Sequence, residues 1–402
     1  MKSSRIHRAL VLVSSAALAL GLSACSAAES DGSDEFTILF VGGVTGQLAD
    51  TTESAIWGME AAVEEINENG GVDGKDVVLE VKDDQSDPTK AVSVLQEALN
   101  EETPDIVIPS GSSAEALAML PVLTRNEIVS VGFGASPLLN DPEKYPYHFQ
   151  TTPSSSAQLV GLQDHLEKTG VKKLGVLVSE DEYGEGVVAA IESQLEGSGV
   201  EIETTEFTPG DVDLRVPYER MLDGDPDFVY LDTTGDAAIR LLEARTQVGA
   251  VGIPTIAGSG MSLTAGGPAK YGSPEANKNL EILVFKVEVA QPESKQSDAF
   301  KEFFERYSAK GEITQSMSTP ALSWDQVRLA ARAANEDGAM DDYPSSFVDS
   351  IYNLEVEGGY WLTEKTFEYS EKDHSPTPVP EDFPFIPSSP QKNGQYQVAS
   401  AS

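Results

Sequence analysis

Residues 36–46 read FTILFVGGVTG, an apolar run that stops at a glycine-rich turn. The run 36–41 has no polar alternation apart from one threonine, which is typical of a parallel strand covered on both faces. Four apolar residues then recur at helical spacing ahead of a glycine-rich end, namely Ile56, Met59, Val63 and Ile66. A strand, a turn and a helix in this order predict the start of a doubly wound α/β sheet.

The same alternation continues along the chain in two runs. Further strands are predicted at residues 77–81, 106–108 and 128–131 in the first run, and at 174–178, 200–203, 228–231, 254–257 and 282–287 in the second. Alternating units favour parallel sheets with helices on both faces, and they place a ligand at the carboxyl ends of the strands. The apolar stripes in residues 300–307 and 324–331 have helical spacing and are interpreted as core faces. We therefore predict an α/β protein with two doubly wound, Rossmann-like lobes joined by a hinge.

The length of the chain also favours two lobes, because 402 residues exceed what one core usually supports. The predicted boundaries are a signal peptide at 1–24, a flexible tether at 25–35, a first lobe at 36–152 and 285–355, a second lobe at 153–284 and 356–372, and a proline-rich tail at 373–402. Proline recurs through that tail without a clear period, so we expect an extended strap or a disordered end.

The first 25 residues have the features of an export signal. Basic residues are followed by an apolar run over 9–20 and by Leu22-Ser23-Ala24-Cys25. The run is shorter than the roughly 20 apolar residues that a membrane span needs. Cys25 is the only cysteine, so the chain has no disulfide of its own. One interpretation is an ordinary signal peptide in which Cys25 occurs by chance; the other, given below, assigns a function to Cys25.

The chain is strongly acidic, with 66 Asp and Glu against 27 Lys and Arg and a formal charge of −39. Removal of residues 1–24 would take away three basic residues and no acid, which makes the charge −42. Such a surface would repel nucleic acid and anionic lipid head groups, so we expect no nucleic-acid partner. We expect a monomer.

Six segments in order resemble the leucine/isoleucine/valine-type solute-binding proteins of ABC importers. They are VGGVTG, AAVEEINENGGVDGK, KDDQSDPTKAV, PSGSSAEALAMLPVLTRNEI, DEYGEG and DFVYLDTTGDAAIRLLEARTQVG, which together span about residues 36–260. The resemblance implies the type I periplasmic binding fold, a small solute, a membrane permease as partner, and no cofactor. The residues LSAC similarly resemble the lipobox of bacterial lipoproteins, which implies lipidation of Cys25 and an exported protein anchored at the outer face of the cytoplasmic membrane.

Two serine-containing loops of the first lobe are candidate ligand contacts. Ser112 and Ser113 stand between a strand and a helix, where Ser112-x-x-Glu115 predicts a capping box. Free amides and hydroxyls there could at the same time bind an anionic or carbonyl oxygen. The resemblance implies that the Ser113 hydroxyl binds the solute carboxylate. It likewise assigns a backbone carbonyl of Gly134 and the hydroxyl of Ser136 to the polar head of the solute, with a plain tight turn as the alternative.

In the second lobe the resemblance points to Tyr183 as an aromatic wall over the ligand, although this ring could simply pack under its own loop. Thr234 occupies the position at which relatives place an aromatic residue. The next loop, where amino-acid binders carry an acid, has none, so Asp232 is the candidate partner of a cation. Gln47 could contact the solute from the first lobe.

Because that loop has no acid, the solute could be an amino acid, an amide, a urea-like compound or a small carboxylate.

The histidines outside the signal are far apart in the sequence and no thiol is available for zinc, so no metal site is expected. No nucleophile elbow or phosphate-binding loop occurs. We therefore expect no enzyme, with a ligand-sensing lipoprotein and a secreted hydrolase as the alternatives.

Overall fold

The computed structural model describes residues 35–262, 275–356, 359–363 and 366–397. The signal peptide, Cys25 and almost all of the tether lie outside these residues. No helix among them has the length and apolar character that crossing a bilayer requires.

The first sheet has five parallel strands in the order β2-β1-β3-β4-β5. Its strands are β1 (Glu35–Gly42), β2 (Asp76–Asp83), β3 (Ile106–Pro109), β4 (Ser130–Gly132) and β5 (His148–Gln150), and its first helices are α1 (Ala49–Glu68), α2 (Pro88–Glu101) and α3 (Ser113–Arg125). Residues 38–41 are fully buried in the middle of β1. The predicted order of strands and helices is therefore present throughout this lobe.

The second sheet has six strands in the order β11-β10-β9-β8-β6-β7, and only β11 is antiparallel to its neighbour. Its elements before the return to the first lobe are α4 (Ser155–Gln158), α5 (Leu162–Thr169), β6 (Lys173–Ser179), α6 (Glu182–Gln194), β7 (Glu201–Phe207), α7 (Arg215–Leu222), β8 (Phe228–Asp232), α8 (Asp236–Gln247), β9 (Thr255–Ala257), α9 (Ser259–Ser262) and β10 (Leu280–Leu283).

Later helices complete the first lobe. They are α10 (Asp298–Lys310), α11 (Ser318–Ala334) and α12 (Ser345–Tyr352), with α10 and α11 packed on α1. Phe303 and Tyr307 of α10 and Trp324 and Val327 of α11 are buried, which confirms that both stripes are core faces.

The strand predicted for residues 282–287 ends earlier, at Leu283, and Lys286–Glu288 forms a 3-10 turn. The buried carboxylate of Glu288 explains the change. It accepts the backbone N–H of Phe285 at 2.8 Å and is also bonded by the hydroxyls of Ser262, Ser316 and Ser318. The Phe285 amide therefore donates its hydrogen bond to this carboxylate and not to a neighbouring strand.

The prediction that residues 356–372 belong to the second lobe was wrong for the described part of this segment. The amides of Leu362 and Thr363 bond Asp325 of α11 at 3.0–3.1 Å. The hydroxyl of Tyr369 donates to the carbonyl of Gln150 in β5 at 2.7 Å. These partners belong to the first lobe. The other lobe boundaries and the hinge motion stay predictions.

The tail is an ordered strap over its described residues, so the expectation of a disordered end is wrong there. It contains β11 (Phe385–Pro387), β12 (Gln391–Lys392) and β13 (Gln395–Tyr396). His374 stacks on Phe149 of the first lobe with ring centroids 4.1 Å apart. Further along, β11 pairs with β10 of the second sheet, and the chain thus passes from one lobe to the other.

Candidate solute-binding site between the two sheets

Three candidate residues of the first lobe meet at the carboxyl ends of β3 and β4. Ser113 is the first residue of α3, and its hydroxyl accepts the backbone N–H of Ser136 at 3.1 Å. A Cβ on Gly134 would lie 3.2 Å from the Ser113 hydroxyl and 2.5 Å from Leu139. The glycine therefore allows the two loops to approach each other closely.

The capping box predicted at Ser112 is absent, so that interpretation was wrong. Ser112 precedes α3, but its side chain accepts no amide of the first turn. The carboxyl of Glu115 is instead bonded by the hydroxyl of Ser110, which also accepts the Ser112 amide at 3.2 Å. Because Ser110 is buried beside Glu115, this carboxyl faces the interior and does not turn back to the Ser112 amide.

Ser136 is almost fully buried and begins the 3-10 turn Pro137–Leu139. Its hydroxyl accepts the backbone N–H of Leu138 at 3.3 Å. The hydroxyl proton is still available to an acceptor, because an oxygen that accepts one hydrogen bond can also donate one.

The second lobe contributes a carboxylate held by two phenols. Asp232 is the last residue of β8, and its Oδ2 accepts hydrogen bonds from the hydroxyls of Tyr183 at 3.1 Å and Tyr230 at 3.3 Å. Burial raises the pKa of Asp232 to about 7. Its Oδ1 is buried without a hydrogen-bond partner, so one oxygen of this acid is left to accept or, when protonated, to donate.

The start of α6 explains the position of Tyr183. The side chain of Asp181 accepts the backbone N–H of Gly184 at 2.9 Å and begins the helix. A Cβ on Gly184 would lie only 1.9 Å from the carbonyl oxygen of Ser179. The sequence DEYG therefore starts a helix tightly at the end of β6, with Tyr183 in its first turn.

Two glycines, Gly258 directly after β9 and Gly260 in α9, make room for this acid. A Cβ on Gly258 would lie 2.0 Å from Oδ2 of Asp232, and a Cβ on Gly260 would lie 2.8 Å from its Oδ1 and 2.6 Å from the Tyr183 hydroxyl. The Gly260 amide also donates to that hydroxyl at 3.0 Å. Asp232 thus reaches over a loop that has no acid of its own.

The two halves of the site approach each other across the lobes. The Ser155 amide, at the start of α4, donates to the carbonyl of Ala135 at 2.8 Å. A Cβ on Gly186 of α6 would lie 3.1 Å from the Pro137 ring. The helix that carries Tyr183 therefore lies against the loop that carries Gly134 and Ser136.

Gln47 and Thr234 are exposed, and neither forms a hydrogen bond with the other candidates in the described residues. The Gln47 loop is fixed by its neighbours, because the Ser86 hydroxyl accepts the Leu48 amide at 3.2 Å and donates to the carbonyl of Thr45 at 3.1 Å. The structure thus brings together Ser113, Gly134 and Ser136 in one lobe and Tyr183 and Asp232 in the other, and it leaves Gln47 and Thr234 apart.

Tyr230, Gly258 and Gly260 were missed in the sequence. Tyr230 had a signal, since residues two apart on a strand point to the same face, and Asp232 is two residues further on. For Gly258 and Gly260 the only signal was the absence of an acid from their own segment. No cluster of metal-binding side chains occurs in the described ranges. A cavity of about 370 Å³ lies at the other end of the second sheet, beside Phe228, Thr255 and Leu280.

Comparison with known proteins finds relatives of similar sequence. A Leu/Ile/Val-binding protein homolog of Brucella melitensis is 27% identical over 227 residues, which cover 55% of this chain and 59% of that protein. The chain thus spans less than two thirds of the length of this relative.

Solved structures share the fold over 91% of the chain. The branched-chain amino acid transporter substrate-binding protein LivJ of Streptococcus pneumoniae, in complex with isoleucine, has a TM-score of 0.71 at 22% identity and is covered to 99%. A solute-binding protein of R. palustris in complex with benzoate has a TM-score of 0.70 at 16% identity and is covered to 98%.

The profile of one family, described as periplasmic binding protein, matches residues 35–378. That range contains the first sheet, the parallel strands of the second sheet and every candidate side chain of the site. With two type I lobes facing each other and a match over this range, the chain belongs to the periplasmic binding protein family.

Proposed function

We propose that this chain is the extracytoplasmic solute-binding component of an ABC importer and that it binds a small polar solute between its lobes. The proposal is carried by two hydrogen-bonded pairs, Ser113 with Ser136 in one lobe and Tyr183 with Asp232 in the other. The segments that carry them lie against each other, since a Cβ on Gly186 of α6 would lie 3.1 Å from Pro137. Hydroxyls and helix amides suit an anionic or carbonyl oxygen, whereas a carboxylate suits a cation or an N–H donor. Each of these contacts is a hydrogen bond or an ion pair, so the solute can be bound without being chemically changed.

An amino acid fits this set best, because it carries a carboxylate and an ammonium on the same carbon atom. The carboxylate would bind Ser113 and the amino terminus of α3, and the ammonium would bind Asp232. The name of the Brucella relative points to the same class. Amides, urea-like compounds and small carboxylates remain in the proposal as the other ligands to be tested, since a structural neighbour binds benzoate.

Capture would proceed by closure of the second lobe over the first, so that water leaves the site and a few hydrogen bonds become selective. We further propose that the closed protein docks on a membrane permease as a monomer. Lipid on Cys25 would keep it near that permease.

The test is a thermal-shift screen of the purified protein against the four classes of compound. A ligand at about 100 times its dissociation constant should raise the free energy of unfolding by about 2.7 kcal/mol. Ser113→Ala should weaken the binding of that ligand without unfolding the protein, whereas Ser93→Ala, an exposed serine of α2, should not. Chemical turnover of the bound compound would contradict the proposal, as would a screen without a single shift.

A further inference from the structure

A pair of buried carboxyl groups lies directly behind the first-lobe half of the site. Asp84 follows β2 and Glu115 is in the first turn of α3, and both are at most 2% exposed. The two side chains are within hydrogen-bonding reach of each other. They come from segments 31 positions apart in the sequence, so their meeting is a product of the fold.

The surrounding hydrogen bonds leave one place for a proton. Oδ1 of Asp84 accepts the Ser86 amide at 2.9 Å, whereas its Oδ2 is buried and receives no donor. Glu115 is bonded by the Ser110 hydroxyl. Two ionised carboxylates have only acceptors, so their contact needs one shared proton. A proton on Glu115 would satisfy Oδ2 of Asp84.

The charged groups around the pair do not replace that proton. Asp83 and Asp87, on the same loop as Asp84, add negative charge. The neighbours from the loop before α3 are the neutral hydroxyls of Ser110 and Ser112. Lys90 of α2 directs its ammonium to the side chain of Gln85. Burial raises the pKa of Glu115 to about 7, and it also raises the pKa of Asp84.

The pair connects two of the three first-lobe segments that carry candidate ligand contacts, the start of α3 and the loop of Gln47. Glu115 is two residues beyond Ser113 in the same helical turn. The loop of Asp84 continues into Ser86, which bonds the loop of Gln47. Ionisation of both carboxyls would drive the start of α3 away from the loop after β2 and would move the Ser113 hydroxyl relative to the Ser136 amide.

We propose that Asp84 and Glu115 are positioning residues that hold the amino terminus of α3, and with it Ser113, through one shared proton. This inference rests on the proposed function only for the consequence that solute binding weakens as the proton is lost. The sign follows from the raised pKa of Glu115. The stabilising contribution is complete below its ordinary pKa of about 4.5, and it is lost as the pH rises through about 7.

The experiment follows hydrogen exchange of the amides of residues 112–117, together with the melting temperature, from pH 5.5 to pH 8.5 in the absence of solute. Exchange rates are corrected for the intrinsic effect of pH. In the wild-type protein the protection of these amides should fall and the melting temperature should drop by a few degrees as the pH rises. In Glu115→Gln, whose amide can donate to Asp84 at every pH, the loss of protection should be absent and the fall in melting temperature should be smaller, with the remaining fall due to other buried acids such as Asp232. Glu97→Gln removes an exposed carboxyl from α2 and should behave like the wild-type protein.

Identical pH profiles of the wild-type protein and Glu115→Gln would overturn the shared proton. If Glu115→Gln does not fold, Asp84→Asn serves the same purpose, because its amide can donate to an ionised Glu115. Binding of L-isoleucine is measured separately. If the exchange depends on pH but isoleucine does not bind, the result counts against an amino-acid site and leaves the shared proton standing. If isoleucine binds but the exchange does not depend on pH, the result counts against the shared proton and leaves the amino-acid site standing.

Discussion

The hydroxyl of Tyr183, in the first turn of α6, donates a hydrogen bond of 3.1 Å to Oδ2 of Asp232, the last residue of β8. Tyr230 donates to the same oxygen from within β8. The acid is therefore held at one oxygen, while Oδ1 has no partner. A buried carboxylate arranged in this way is costly for the folded protein, which fits the role in solute binding that we propose for it.

Asp232→Asn should separate stability from binding. Because burial raises the pKa of Asp232 to about 7, its stabilising contribution is complete below about pH 3.8 and is lost as the pH rises through 7. The asparagine stays neutral, so the variant should gain melting temperature relative to the wild-type protein between pH 5 and pH 8.5. At pH 7.5 its affinity for an ammonium-bearing solute should fall about tenfold or more.

The control for this prediction is Asp223→Asn, which changes an exposed acid at the end of α7. It should keep both the affinity and the pH profile of the wild-type protein. Equal affinities of Asp232→Asn and the wild-type protein would show that Asp232 does not contact the solute.

Gly260→Ala should disturb the same acid from the opposite loop. The new methyl group would lie 2.6 Å from the Tyr183 hydroxyl and 2.8 Å from Oδ1 of Asp232, so one side chain or the loop must move. We expect a loss of about 1–3 kcal/mol in the free energy of unfolding, measured in urea, together with weaker solute binding. Gly210→Ala places its methyl group in open space and should be neutral. A stability for Gly260→Ala equal to that of Gly210→Ala would contradict the tight packing.

The pattern of apolar runs and glycine turns predicted the two parallel sheets, because strands covered on both faces have a strong local signal. It also placed Ser113, Gly134 and Ser136 after the ends of two strands, where the structure has them, whereas their role as ligand contacts stays a prediction. The pair Asp84–Glu115 could not be predicted in this way. Each residue alone looks like an ordinary acid of a loop or a helix start, and only the order of the strands brings them together.

The strap shows a second limit of the sequence. Its strands have two or three residues, which is too few for a visible period, and its prolines favoured an extended or disordered end. Phe383 and Tyr396 are nonetheless fully buried. Residues 379–397 also lie beyond the family match, so neither periodicity nor resemblance could reveal that they complete the second sheet.

Cys25→Ser should release the protein from the membrane. If Cys25 is lipidated, the protein partitions with the membrane fraction and into detergent, because several acyl chains give durable anchoring. The serine variant has no thiol to acylate, and it should appear in the soluble envelope or culture fraction with unchanged solute binding. Ser26→Ala, a change at the next residue, should leave the protein in the membrane fraction. Membrane association that persists in Cys25→Ser would mean that another feature holds the protein there.

Phe383→Ala tests whether the strap is part of the folded core. The Phe383 ring is 1% exposed and lies edge-on to Phe285 with centroids 4.9 Å apart. Beside it, the almost buried Asp382 holds the ammonium of Lys286 at 2.5 Å. Removal of the ring leaves a cavity at the point where the chain returns to the second lobe, so we expect a loss of about 3–5 kcal/mol in urea denaturation. Val379→Ala, which is 37% exposed in the same strap, should cost well under about 1 kcal/mol. Equal stabilities of the two variants would show that residues 379–397 do not contribute to the core.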